Sequence, residues 1–178
     1  MSLIETPLTL EIVLIYGAAF KLANSKRLVL TISKTRTPPI TMSLKAFIYA
    51  YRKPGISLEE FKTHYEAHVD LLKRIAGDDF PLSHKRSYLA RNAVDIAPEG
   101  ASDRNSLTPA SVIVGQQSDF DFDAYAELTF ADQAAFQAFS AKVYAPEAAA
   151  EIAADEEKFL DKSKLGIVML GDVIETTK

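Results

Sequence analysis

One stretch decides what this chain can fold into: residues 56–77, ISLEEFKTHYEAHVDLLKRIAG. It reads as a single capped helix. Ser57 is followed three residues later by Glu60, a pairing in which each side chain accepts from the other's backbone N–H and so satisfies two donors that a helix start leaves open. Ile56 and Phe61 stand where a hydrophobic staple closes the entry, and Gly77 can take the left-handed conformation that ends a helix. Between the caps, Phe61, His64, Tyr65, His68, Leu71, Leu72 and Ile75 recur at the period of one helical face. Glu59, Lys62, Glu66, Asp70, Lys73 and Arg74 take the opposite face. Two histidines therefore point inward, one turn apart. Imidazole has the unperturbed pKa nearest neutrality, so this face is where acid–base chemistry is to be sought.

The rest of the chain supplies strands and further helices around that element. Residues 44–52, LKAFIYAYR, form a strand that ends at the turn Lys53-Pro54-Gly55. Residues 85–91, KRSYLAR, read as a second strand. Residues 92–118 are rich in Asp, Asn, Ser, Pro and Gly, and a connection of that length is usually a lid or a binding loop. Within it only 111–115, SVIVG, can add a short strand. Residues 122–130 alternate, with Phe122, Ala124, Ala126, Leu128 and Phe130 on one face and Asp123, Tyr125, Glu127 and Thr129 on the other. Helical pieces follow over 131–143 and 147–160, divided by Pro146. The apolar run 165–173, LGIVMLGDV, reads as a buried last strand. This order predicts an α+β, ferredoxin-like βαββαβ domain with an antiparallel four-stranded sheet and its helices on one face. The other face is left bare, and a bare apolar face marks an association surface. A homodimer joined through its sheets is expected.

A length of 178 residues fits one domain with an appendage. Residues 43–178 are taken as the domain and 1–42 as a leader outside its core. The apolar run over 8–22 is interrupted by Glu11 and Lys21 and falls short of the roughly 20 residues a membrane span needs. Acidic rather than basic residues precede it, unlike a secretory signal. A second Met-Ser-Leu begins at Met42, directly before the first strand. The expectation is a functional protein starting at Met42, the leader being a misassigned start or an extension; the rival is a targeting or membrane-associating segment. No stable membrane insertion is expected. A net charge of −4 gives no electrostatic reason to expect nucleic acid. The absence of cysteine excludes disulfides, thiolate metal sites and a cysteine nucleophile, and suits a cytoplasmic protein. There is no phosphate-cradling glycine loop, no G-x-S-x-G elbow and no dinucleotide fingerprint.

In the last helical piece, Ala148, Ile152, Asp155 and Phe159 share a stripe, which sets a carboxylate among apolar residues, where it needs a partner. Both helices pack on one sheet face, so Asp155 can approach His68 or His64 and orient an imidazole. The plainer reading is a bond to an arginine or to Tyr88. For the histidines, the plainer reading is a packed, hydrogen-bonded core. His64 and His68 also have the i, i+4 spacing of a helical zinc pair, with Asp155 or His84 as a possible third ligand, although Tyr65 stands where a zincin has glutamate. No metal is assigned. His84, beside Lys85 and Arg86, is expected at the surface. Tyr49, Tyr65 and Tyr88 are candidates to line a pocket for a flat aromatic ligand, or are plain core.

The opening strand, RKPGISLEEF (52–61) and the Tyr–His helix together resemble the EthD-type family. The later DEEKF (155–159) and the last apolar strand are similar to its fungal branch in aromatic polyketide pathways. The likeness covers about 43–173. It departs where the family often has His-x-Pro-Leu, because His68 here precedes Val69, Asp70 and Leu71. The resemblance implies a dimeric α/β-barrel with a cofactor-free site between helices and sheet. It also implies a lyase, a dehydratase or decarboxylase of a small aromatic substrate, with His68, His64 and Asp155 as the catalytic candidates. A non-catalytic carrier of aromatic molecules and a cofactor-free monooxygenase are the alternatives.

Overall fold

A computed structural model describes residues 43–178 and, before them, two short antiparallel strands, β1 (Ile12–Val13) and β2 (Ala19–Phe20). The expectations about the leader and about a start at Met42 otherwise lie outside the described residues. The chain divides into two compact units, Met1–Pro39 and Ile40–Lys178. The second contains β3 (Leu44–Ala50), α1 (Leu58–Ala76), β4 (Ser83–Tyr88), β5 (Ala124–Phe130), α2 (Gln133–Val143), α3 (Pro146–Glu156) and β6 (Gly166–Met169). Its sheet runs β4-β5-β3-β6, every pair antiparallel. Strand order and connections are those of the ferredoxin-like fold, so the α+β reading holds.

Local chemistry sets the boundaries of α1. Ser57 Oγ accepts from Glu60 N at 3.1 Å, and Glu60 Oε2 accepts from Ser57 N at 2.8 Å. Gly77 follows at φ +57°. Replacing Ser57 by alanine is expected to cost about 1 kcal/mol, read as a lower urea midpoint; an unchanged midpoint would show that packing alone holds the helix start. The α1 face that meets the sheet is Phe61, Tyr65, His68, Val69 and Ala76, all buried. Val69 is therefore inside, and Leu71 only half-buried. Asp132 caps α2 through Ala135 N at 2.8 Å, and Pro146 opens α3.

Ala124, Ala126, Leu128 and Phe130 of β5 turn inward, as their alternation predicts. The alternation does not extend before Ala124: Phe122, expected on the inward face, packs edge-on to Tyr49, and Asp123, expected on the outer face, is buried. Leu128 and Phe130 meet Ala46, Phe139, Val143 and Ile152 in one core cluster, and Ala124 meets Phe61, Tyr65 and Phe159 in another. On the opposite face, Phe47 and Tyr125 stack with centroids 5.3 Å apart, and Tyr49 lies edge-on to Phe47 at 5.0 Å. Tyr49 and Tyr125 remain more than a third exposed there.

Three elements differ from expectation. The second strand occupies Ser83–Tyr88 rather than 85–91, because its register with β5 runs from Ser83↔Thr129 to Tyr88↔Ala124. Arg91 then turns inward to donate to the carbonyls of Thr108, Phe120 and Phe122. SVIVG forms no strand, and Ile113 and Val114 stand in solvent. The last strand is short and lies at an edge of the four-stranded sheet, beside β3, which leaves Ile167, Val168 and Met169 about half exposed rather than buried.

Candidate active site

His68 is 4% exposed. Its Nδ1 lies 2.9 Å from Asp155 Oδ2 on the last turn of α3. The other carboxylate oxygen, Oδ1, accepts from Lys158 Nζ at 2.8 Å. Burial alone would raise the Asp155 carboxyl, but its bonds from Lys158 and His68 outweigh that and hold it below the usual carboxylate range. It is therefore ionised at neutral pH and can only accept, so Nδ1 carries the proton. Burial also keeps His68 below the ordinary histidine pKa, against the opposing pull of Asp155. The resulting species is a neutral imidazole anchored through Nδ1–H, with an unprotonated Nε2 that makes no hydrogen bond to any described residue. This is the state a general base requires.

Phe159 is fully buried and sits at the centre of the surrounding aromatic cluster. Ring centroids lie 5.3 Å away for His68, 5.7 Å for Tyr65, 5.9 Å for Phe61 and 6.3 Å for His64, whose ring is nearly parallel to it. His64 is half-buried and makes no hydrogen bond among the described residues. Burial pushes the Tyr65 hydroxyl well above its ordinary pKa. Tyr88 belongs to a neighbouring polar group: it donates to Glu66 Oε1 at 2.6 Å, and Arg86 grips the same carboxylate at 2.9 and 2.6 Å. The Arg86 bonds are the main reason that Glu66 is pushed down to about 2. Tyr65 and Tyr88 thus lie on the histidine side of the sheet, whereas Tyr49 is on the far side, among Phe47, Phe122 and Tyr125.

The expectation of a surface position for His84 fails. β4 begins at Ser83, so His84 pairs with Leu128 and takes the inward parity of Arg86 and Tyr88. Both ring nitrogens are buried and make no hydrogen bond among the described residues. Tyr65 and Phe80 lie 6.2 and 6.4 Å away, centroid to centroid. Burial, reinforced by the Arg86 charge, pushes its pKa down to about 4. An unfolded histidine titrates near 6.5, so between those values the unfolded chain binds a proton that the native state refuses. Stability therefore falls as pH drops through this window, by about 3 kcal/mol from this residue on reaching pH 4. His84→Phe is expected to remove most of that slope in urea titrations between pH 7 and 4; an unchanged slope would assign acid sensitivity to other groups.

A groove of about 510 Å³ opens between α1 and α3, with Asp155 and Lys158 on its wall. The Arg74–Glu151 pair, at 2.5 Å, also lines it. Among the described residues, no group of three His, Asp or Glu is placed to hold a metal ion, and no helix is long and apolar enough to cross a membrane. The long connection is anchored at its base by buried charge. Asp123 faces Arg52 Nε at 3.5 Å and Arg91 Nε at 3.3 Å, while Arg52 also donates to Asn105 Oδ1 at 2.8 Å and to the carbonyl of Arg104.

With this geometry in place, the model of the EthD domain matches residues 53–163, more than half of the chain, including α1 and the Asp155–Phe159 segment. The chain belongs to the EthD domain family. Several solved structures are similar to this EthD protein. A protein of Arabidopsis thaliana is 16% identical, with a TM-score of 0.43, covering 75% of this chain and 99% of its own. An EthD family protein of Bacillus halodurans is also 16% identical, with a TM-score of 0.41 over 73% and 99%. The hydroxynitrile lyase of Passiflora edulis is 19% identical, with a TM-score of 0.40 over 78% and 98%. None of the curated proteins compared with the chain matches it.

Two features of the site escaped the sequence reading. Lys158 was legible as the i, i+3 partner of Asp155, but its weight depends on Asp155 also holding His68. His84 depended on where β4 begins, which β5 decides.

Proposed function

We propose that this EthD protein is a cofactor-independent lyase that removes water or carbon dioxide from a hydroxylated aromatic polyketide. His68 acts as general base through Nε2, Asp155 fixes its tautomer and stabilises the imidazolium that forms, and His64 is a second acid–base or hydrogen-bonding group. The observation that carries this reading is the 2.9 Å His68–Asp155 contact in a buried, aromatic setting. Both eliminations pass through an enolate or phenolate, and a protonated imidazole stabilises such an anion. Tyr65 and Tyr88 supply aromatic surface on the same side of the sheet. The polyketide class rests on the similarity of DEEKF (155–159) to the fungal branch.

The same reading pairs two subunits through the bare sheet face, supported by the exposed aromatic cluster of Phe47, Tyr49 and Tyr125. It also places the protein in the cytoplasm, in keeping with a sequence free of cysteine.

The test is incubation with β-hydroxy and carboxylated aromatic polyketides, followed by mass spectrometry. A product lighter by one water or one carbon dioxide is expected, and its mass names the reaction. Tight binding with the ligand recovered unchanged would favour a carrier, and oxygen consumption an oxygenase.

A further inference from the structure

The Asp155 carboxylate is shared between a buried imidazole and a cation in solvent. Oδ2 accepts from His68 Nδ1 at 2.9 Å and Oδ1 from Lys158 Nζ at 2.8 Å. Side-chain exposure rises along this line, from 6% at His68 through 19% at Asp155 to 57% at Lys158. Lys158 follows the C-terminal end of α3 directly after the cap residue Glu157, where a cation is also favoured by the helix dipole. We propose that Lys158 is a positioning residue for the His68–Asp155 pair, holding Oδ1 so that Oδ2 faces the imidazole and offsetting enough carboxylate charge to keep His68 unprotonated in its working state. The proposal rests on the reading of His68 as the general base.

The argument is one of competing charges. A carboxylate 2.9 Å from an imidazole favours the imidazolium, and left alone it would draw His68 toward the protonated form, which has no lone pair for a substrate proton. Burial opposes protonation, and so does an ammonium bonded to the same carboxylate. The other groups facing His68 do little to replace it. His84 on β4 is itself held neutral by burial. Tyr65 on α1 is held neutral, and Phe159 presents an apolar ring. Asp155 and Lys158 therefore set the balance. A side-chain amide or alkane at 158 would leave Asp155 with its full charge directed at His68.

The test titrates His68 by nitrogen-15 NMR in the full chain, without substrate, in the wild type, Lys158→Met and Lys158→Arg. With an effective dielectric between that of protein and water, losing the ammonium is expected to raise the His68 midpoint by about 0.5–1 pH unit. Lys158→Arg restores the charge and is expected to titrate as the wild type does. Lys162→Met serves as the control, since Lys162 faces Glu156 and Glu157 at 3.8 and 3.6 Å instead; its His68 midpoint is expected to stay in place. In the substrate assay, the acid limb of kcat/KM moves up with the Lys158→Met midpoint. An unchanged or lowered midpoint in Lys158→Met overturns the proposal, as does an equal rise in Lys162→Met. Lys158→Gln gives the same reading should the methionine variant fold poorly. Full activity of a His68 variant would instead sink the lyase reading and leave the titration standing.

Discussion

Replacing His68 by alanine is expected to lower kcat/KM about 100- to 10,000-fold, the range a positioned general base contributes, while the protein stays folded. The fold should survive because no buried charge is stranded. Asp155 keeps its bond from Lys158 and retains some access to solvent. What is lost is one hydrogen bond and the volume of an imidazole against Phe159, a stability cost of about 1–3 kcal/mol. Substrate loss measured by mass spectrometry gives the rate, and circular dichroism checks the fold. Undiminished turnover would end the assignment of His68 as base. Asp155→Asn sharpens the test. An amide in that place can donate to Nδ1, which holds the imidazole in the tautomer with its proton on Nε2 and removes the acceptor. A fall comparable to that of the alanine variant, with the native fold, would locate the chemistry at Nε2 rather than in packing.

The elements that could be read from sequence were those fixed within a few residues of themselves. Ser57 and Glu60 cap α1 because both partners lie in one turn. The inward face of β5 follows from strict alternation, and the helical stripe that holds Ile152, Asp155 and Phe159 brought a carboxylate toward α1, where the structure places it 2.9 Å from His68. Sequence failed where a distant partner decides. The inward position of His84 depends on where β4 begins, and pairing with β5 starts that strand at Ser83, two residues before the start read from sequence, so His84 falls inside it. The exposure of Ile167 to Met169 depends on β6 being an edge strand, since an apolar run reads alike at the centre and the edge of a sheet. The connection over 92–118 read as a lid or binding loop, and what ties it down was not legible because its anchors, Arg52 and Asp123, lie outside it, 71 residues apart.

Those anchors give the largest expected effect on stability. Asp123 is 2% exposed and lies between the Arg52 and Arg91 guanidiniums, whose side chains are 5% and 1% exposed. Its Oδ2 also accepts the backbone N–H of Arg52 at 2.8 Å. Burial raises the pKa of this carboxyl even with two arginines beside it, a measure of how little water reaches the site. Replacing Asp123 by alanine removes the anion and leaves two buried cations facing each other with carbonyl, amide and hydroxyl oxygens for company. Breaking a buried pair from one side is expected to cost about 3–5 kcal/mol, because the remaining charge stays buried and unpaired. A domain of ordinary stability, about 5–15 kcal/mol, would lose a large share of it. Urea unfolding should show the lower midpoint, and limited proteolysis should cut first within 92–118, since Arg52 and Arg91 hold that segment through Asn105 and the Thr108 carbonyl. A urea midpoint within experimental error of the wild type would mean that the arginines' carbonyl and amide contacts suffice without the carboxylate. If the segment also stayed protected, its anchor would have to lie elsewhere, with the Arg104–Asp161 and Lys164–Asp121 pairs the next to remove.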